Sequence, residues 1–155
     1  MNIQSRRFGS IEIDEENVLT FPQGIIGFPE ESKFVLVPHN AGGFLAWLQS
    51  ARSPDMALPV VSAHAFGDKY PDVPVEPAAH AAGLGPNLDD MAVLVVLCAP
   101  TGQPATVNLL APIVVNVATR SGAQVILDGS RFTTRELFIR PPEPVEAPKT
   151  QAAAE

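Results

Sequence analysis

The side chains that most often perform chemistry are few in this chain, and their spacing keeps them apart. The three histidines, His39, His64 and His80, form neither an HxH nor an HExxH pattern. A single helix or strand therefore cannot present two of them to one metal ion. We expect structural or surface roles for the histidines, and no metal site.

The acidic, hydroxyl and thiol side chains do not form a catalytic group either. Asp89 and Asp90 are adjacent, and neighbouring side chains diverge on a helix or a strand, so a turn ahead of the next strand explains them better than a shared carboxylate site. Ser62 and Ser130 lack the GxSxG context of a nucleophile. Cys98 lies in the apolar run MAVLVVLCA, which predicts a buried side chain, and a lone cysteine cannot form an internal disulfide. The sequence predicts a protein that is not an enzyme and holds no cofactor.

Charge and hydropathy restrict the class of partner. The net charge is −7, and the segment from Phe8 to Ser32 carries six acidic residues and no lysine or arginine: Glu12, Asp14, Glu15, Glu16, Glu30 and Glu31. A surface of this sign disfavours direct nucleic-acid binding and favours a basic protein partner, although solvated turns would explain the same acids. The longest apolar run, Met91 to Ala99, is far shorter than the roughly 20 residues that span a bilayer. We expect a cytoplasmic protein with no membrane partner.

The elements that must position these residues are predominantly strands. The chain contains 16 prolines and 11 glycines, which divide it into short pieces and favour strands over helices. The central stretch, Thr106 to Leu127, has two β-branched runs on either side of Ala118 to Ala123, which predicts a hairpin with Gly122 in the turn. Pro112 belongs at a strand start, a bulge or an edge, because it cannot donate to a ladder.

Further strands are predicted along the chain. They are two short strands before Phe21, then Lys33 to Val37, Leu58 to Ala63, a Met91 to Ala99 strand covered on both faces, and a final strand within Arg131 to Ile139. Trp47 and Leu48 lie in a segment that fits a short helix or a strand. The segment FPQGIIGFPE predicts a tight loop that exposes Ile25, Ile26 and Phe28.

Together these patterns predict an all-β, mainly antiparallel fold: a small β-barrel-like single domain with at most one or two short helices. We place this domain at residues 1–139. Residues 140–155 are rich in proline, glutamate and alanine and predict a flexible tail.

Asn108 and Asn116 flank the apolar segment LLAPIVV, and a buried asparagine amide must be hydrogen bonded. One interpretation is that both bond the backbone where Pro112 interrupts the ladder. The other is that they hold a partner's backbone at an edge strand. The sequence leaves both open.

Several of these segments, in this order and spacing, resemble the FliW flagellar assembly factors. They are FPQGIIGFPE followed by KFVLV, then FLAWLQS, a strand ending in APTG, and above all TVNLLAPIVVN with QVIL and RFTTRELF. The resemblance covers roughly residues 3 to 139. It implies a β-barrel-like cytoplasmic protein without catalytic activity that binds flagellin and also CsrA, a basic RNA-binding translational repressor. In such a switch, FliW freed from flagellin binds CsrA and relieves the repression of flagellin translation.

The resemblance and the charge pattern together suggest candidate residues for each partner. For CsrA we expect acidic and neighbouring side chains: Glu12, Asp14, Glu15, Glu16, Asp68, Tyr70 and Asp72. For flagellin we expect the apolar loop and the segment around the asparagine: Ile25, Ile26, Phe28, Asn108, Leu110 and Pro112.

Two other classes of function, a small-molecule or hydrolytic site and direct RNA binding, would require features of their own. A small β-barrel could bind a small molecule in its interior, or catalyse a simple hydrolysis there, if polar side chains converge in an apolar pocket. An interior filled by Val, Ile, Leu and Phe would argue against that alternative. Direct RNA binding requires stacking aromatics on a basic face, which an acidic chain with eight Phe, one Tyr and one Trp does not favour.

Overall fold

The computed structural model describes residues 1–38, 45–63, 80, 83–84, 90–127 and 133–137. These residues form eleven strands and a 3-10 helix at Glu15–Asn17. The strands are β1 Asn2–Ser5, β2 Gly9–Glu12, β3 Leu19–Thr20, β4 Lys33–Pro38, β5 Leu45–Ser50, β6 Ala57–Ser62, β7 Met91–Cys98, β8 Thr106–Val107, β9 Ile113–Asn116, β10 Ser121–Gln124 and β11 Glu136–Leu137.

Seven of the strands close into a barrel in the order β3, β4, β5, β6, β7, β9 and β10. The pairing of β7 with β9 and of β10 with β3 completes the circle, and every barrel pairing except β10 with β3 is antiparallel. The second half of β7 pairs with β8, which in turn pairs with β11. The β1–β2 hairpin forms a separate sheet. The predicted all-β, mainly antiparallel, barrel-like fold is confirmed.

The barrel interior is packed with apolar side chains. Cross-strand partners share a face, so the pairing of Leu19 with Phe34, and of Val60 with Val96, places these side chains inside. The buried members of this cluster are Leu19, Phe21, Ile25, Phe34, Leu48, Val60, Ile113 and Val115. The rings of Phe21 and Phe34 meet edge to face, with centroids 5.3 Å apart.

A second apolar cluster covers the outer face of β6 and β7. Val61 and Val95 pack there against Val107, Leu109 and Leu127 from the segments that follow β7 and β10. Within β7, Leu94 and Val96 contact the interior cluster, whereas Val93 and Leu97 contact the outer one. The predicted cover on both faces of this strand is confirmed.

The central hairpin exists, but its second strand is Ser121–Gln124, which begins within the predicted turn and ends ahead of the β-branched run Val125 to Leu127, and its glycine does not form the turn. β9 and β10 pair antiparallel, and the residues between them are Val117 to Arg120. Arg120 is the residue with positive φ, at 60°. Gly122 lies within β10 opposite Val115, where a Cβ atom would come within 2.6 Å of the Phe21 ring. The predicted role of Gly122 was therefore wrong, because the position is glycine for packing and not for turn geometry. Pro112 directly precedes β9, which confirms the predicted strand start.

Other local predictions had mixed outcomes. The segment around Trp47 is a strand, β5. The prediction of a buried Cys98 was wrong, since this thiol is exposed at the end of β7. The N-terminal region contains β1 as well as the two predicted strands. The sequence did not predict β1, because this strand buries only Ile3 and Ser5 and is otherwise polar. His39, His64, Asp89, Ser130 and the 140–155 tail lie outside the described residues, so the domain boundary stays a prediction.

Candidate functional site

Those residues of the predicted partner surfaces that the structure describes lie at the two ends of the barrel. β3 runs antiparallel to β4 and parallel to β10. The loop of residues 21–32, which joins β3 to β4, therefore lies at the end where β10 finishes. We call this the closed end. The 3-10 helix before β3, the last residues of β4 and the turn before β10 lie at the other end, which we call the open end.

At the closed end, the 21–32 loop folds back onto the barrel core. Phe21 and Ile25 are buried, with 0% and 4% of their surface exposed. Ile25 and Phe28 exchange two backbone hydrogen bonds, of 3.2 and 2.6 Å. Gly24 has φ of 72°, and a Cβ atom there would lie 2.4 Å from the Phe28 carbonyl oxygen, so this tight turn requires glycine.

The loop exposes only part of the apolar surface that the sequence suggested. Ile26 and Phe28 are 51% and 47% exposed, as expected. The expectation that Ile25 is exposed was wrong, because its side chain closes this end of the core. The Ile26 amide donates to Gln124 Oε1 at 3.0 Å, and Gln124 Nε2 donates to the Ala111 carbonyl at 3.0 Å. These bonds fix the loop against the end of β10.

Glu31 ties the same loop to the β5–β6 turn. Its carboxylate accepts hydrogen bonds from Ser50 Oγ, at 2.6 Å, and from Ser53 Oγ. Hydrogen bonds to the charged form favour it, so the two hydroxyls, Ser50 first, lower the pKa of Glu31. Of the six acidic residues between Phe8 and Ser32, Glu31 thus has a structural role, because its carboxylate is hydrogen bonded to two serines of the neighbouring turn.

The segment from Asn108 to Pro112 is paired on its backbone and is not an open edge. The amides of Asn108 and Leu109 donate to the carbonyls of Val96 and Thr133, and the Leu110 carbonyl accepts from Leu127. Pro112 is buried, and Leu110 packs against the outer cluster.

Both asparagines hydrogen bond to backbone, as the structural interpretation predicted, but of the two Asn108 alone does so beside Pro112. Asn108 Oδ1 accepts from the Ala111 amide at 3.0 Å. Asn116 Nδ2 donates to the Leu84 carbonyl at 2.6 Å, and its Oδ1 accepts from the amides of Ala118 and Thr119.

At the open end, the early acids form an exposed group. Glu12 lies at the end of β2, and Asp14, Glu15 and Glu16 lie at and within the 3-10 helix. All four are exposed. The amino group of Met1 pairs with Glu12 at 3.2 Å. Among the described residues, no lysine or arginine forms an ion pair with the other three.

Beside these acids lies an open groove of about 430 Å³ that the sequence did not indicate. Its walls are mostly apolar, and Glu16, Asn17 and Arg120 provide the polar part. The lining residues are Ile13, Glu16, Asn17, Leu19, Val35, Leu36, Ala92, Leu94, Val115, Val117 and Arg120. The sequence indicates this groove only through Val117, an apolar residue that follows Asn116, the last buried residue of β9.

Asp68, Tyr70 and Asp72 lie outside the described residues, so their part in the acidic surface stays a prediction. The described residues contain no helix that is long and apolar enough to cross a membrane. In the same part of the chain, no three His, Cys, Asp or Glu side chains are grouped so that they could hold a metal ion.

Comparisons with known proteins agree with the fold. The family model for the FliW protein matches residues 2–138. The flagellar assembly factor FliW of Geotalea uraniireducens is 34% identical over 143 residues, which cover 92% of this chain and 87% of that protein. That of Heliobacterium modesticaldum is 37% identical over 136 residues, with 87% and 88% covered.

A solved structure agrees as well. The crystal structure of a flagellar assembly factor FliW superimposes with a TM-score of 0.77 at 31% identity, covering 88% of this chain and 96% of the other. The family match extends over nearly all of the segments in which the sequence resemblance was found. The chain belongs to the FliW family of flagellar assembly factors.

Proposed function

We propose that this protein is a non-enzymatic regulator that binds flagellin in a chaperone-like manner and antagonises the translational repressor CsrA in the cytoplasm. By exchanging these two partners it couples flagellin synthesis to export and filament assembly. Membership of the FliW family gives the biological setting. The observation that carries the proposal is the exposed acidic group at the open end, in which Asp14, Glu15 and Glu16 form no ion pair with a lysine or arginine of the described residues.

For CsrA, the proposed contacts are Glu12, Asp14, Glu15 and Glu16, together with Asp68, Tyr70 and Asp72. A basic RNA-binding surface is complementary to such a group. Complementary charge mainly raises the association rate and orients the encounter, and salt screens it.

For flagellin, the proposed contacts are Ile26 and Phe28 at the closed end. Both side chains stand on a loop fixed by backbone hydrogen bonds, so little conformational entropy is lost when a partner covers them. The apolar face of a flagellin helix is a suitable partner for two such side chains. Ile25 anchors this loop, and Gln124, which bonds both the Ile26 amide and the Ala111 carbonyl, holds it against the segment that contains the other candidates, Asn108, Leu110 and Pro112.

A binding role also agrees with the barrel interior. The described interior positions are filled by Leu, Phe, Val and Ile, with rings and aliphatic side chains in contact. A small-molecule or hydrolytic site would need polar side chains converging in an enclosed space. The interior thus favours recognition by the outer surface.

Calorimetric titration tests the proposal. The wild-type protein is titrated with CsrA and with flagellin from the same cell, at two salt concentrations. Saturable binding to both is expected, with salt weakening chiefly the CsrA complex. Replacing Asp68 and Asp72 with lysine should weaken CsrA binding and leave flagellin binding unchanged, whereas Ile26→Ser with Phe28→Ser should do the reverse.

The outcomes separate the parts of the proposal. Binding to neither partner would reject the function. Unchanged affinity of the Asp68→Lys and Asp72→Lys variant for CsrA would remove these two residues from the interface. Equal loss for both partners in either variant would show that the two surfaces are not distinct.

A further inference from the structure

The groove at the open end arises from a mismatch in strand length. β4 continues for six residues, but β3 pairs with it only at Leu19 and Thr20. Beyond Phe34, β4 therefore has no partner strand on this side among the described residues, and the barrel wall opens between β4 and the start of β10.

The opening leaves interior-type side chains in contact with water. Leu36 pairs across with the fully buried Leu48, so its register is that of an inward residue, yet it is 40% exposed. Val117, on the opposite wall, is 59% exposed. Leu94 and Val115 form part of the floor. Exposed aliphatic surface of this kind, in a concave and partly walled site, is typical of a binding groove.

The charges around the groove indicate what fits it. Glu16 lines the groove, Glu15 precedes it on the 3-10 helix, and Asp14 is the residue directly before that helix. Arg120 stands on the facing turn, and no described residue pairs with its charge. An aliphatic side chain flanked by lysine or arginine would contact the apolar walls and the acids together, with a carbonyl or acidic group of the same segment facing Arg120.

We propose that the open-end groove docks an aliphatic side chain of a basic protein segment, whose neighbouring cationic side chains face Glu15 and Glu16. The inference rests on the proposed function, which makes CsrA the partner that supplies this segment. It adds that CsrA is held by apolar contact as well as by charge. Apolar contact resists salt, so the complex retains affinity at high ionic strength.

Titration of full-length variants with CsrA tests the groove. Leu36→Gln with Val117→Gln keeps the net charge while replacing aliphatic surface on both walls with polar side chains. We expect affinity to fall by about tenfold or more, since two partly buried aliphatic side chains are lost. The salt dependence of binding should be unchanged. The matched control is Ile126→Gln with Leu137→Gln, two similarly exposed aliphatics elsewhere, which should change affinity by less than about twofold.

A second variant separates the charge contribution. Glu15→Gln with Glu16→Gln should weaken binding at low salt and flatten the salt dependence, and Glu30→Gln, an exposed acid at the closed end, should do neither. The single variant Val117→Gln is measured as well, because the Val117 side chain is largely exposed and its replacement should not disturb folding.

The outcomes distinguish this inference from the proposed function. If wild type binds CsrA and the groove variants bind equally well, the groove is rejected while the proposed function stands. If the control pair loses as much affinity as the groove pair, the groove is rejected as a specific site. If wild type does not bind CsrA, the proposed function and the groove assignment are both rejected.

Discussion

The two ends of the barrel use the same kinds of residue differently. At the closed end, the long loop after β3 returns to the barrel and buries Phe21 and Ile25, and Glu31 is bound by two hydroxyls. At the open end, the chain before β3 carries acids that stay exposed, and Leu36 and Val117 remain in contact with water. The closed end therefore covers the barrel core, with only Ile26 and Phe28 of its loop exposed, whereas the open end leaves inward-facing positions of the barrel in contact with water.

The difference follows from strand length and loop position. The 21–32 loop is long enough to cover its end of the barrel, and glycine at position 24 permits the required turn. The two-residue β3 cannot cover the wall at the opposite end. The two ends thus differ in how completely the barrel core is covered, which leads to different stability expectations for similar substitutions.

The largest expected effect is at the closed end. Phe21→Ala removes a fully buried ring that packs edge to face on Phe34, so we expect the free energy of unfolding to fall by about 3–5 kcal/mol. Leu36→Ala at the open end should cost about 1 kcal/mol or less, because its side chain is already 40% exposed. Urea denaturation of both variants measures the contrast. Equal losses would show that the two ends contribute equally to stability.

A smaller effect is expected at Gly122, whose backbone lies against the Phe21 ring. Gly122→Ala places a methyl group 2.6 Å from a ring carbon, so the ring must shift, and overpacking of this kind costs about 1–3 kcal/mol.

The control for Gly122 is the double variant. In a Phe21→Leu background the ring is absent, and Gly122→Ala should cost less than it does in wild type. Thermal or urea unfolding of the four proteins gives the coupling energy. Additive losses would contradict the steric explanation and suggest a backbone requirement at position 122.

Gly122 also shows where sequence reasoning reaches its limit. The first β-branched run predicted β9, and Pro112 was expected at a strand start, a bulge or an edge, because these are local effects of backbone geometry. The turn was placed on the glycine, whereas Arg120 takes the positive φ. The real constraint on Gly122 comes from Phe21, about a hundred residues away in the chain, and no local pattern encodes that contact.

In the candidate sites, too, the sequence predicted features that depend on local geometry and missed those that depend on contacts between distant segments. Ile26 and Phe28 were predicted to be exposed and are, since the Pro and Gly residues around them define a tight loop. Ile25 is adjacent and equally apolar, yet it is buried, because which side chain turns inward depends on the closure of the barrel. The groove was not predicted at all, since it is bounded by residues from distant strands and depends on β3 being short.

The smallest expected effect concerns Glu31, and it appears as a pH dependence. The pKa of Glu31 is lowered in the folded protein by Ser50 and Ser53, so its stabilising contribution is present above the pKa of the unfolded chain and is lost as pH falls through the folded value. Glu31→Gln should lower the free energy of unfolding by about 1 kcal/mol at pH 7, because a neutral amide is a weaker acceptor for two hydroxyls. The difference from wild type should shrink as pH falls below about 4.

Glu30→Gln, an exposed neighbour, should leave stability unchanged at both pH values. Urea midpoints at pH 7 and at acidic pH provide the measurement, and a constant difference between Glu31→Gln and wild type would show that the carboxylate charge does not hold the loop at the closed end.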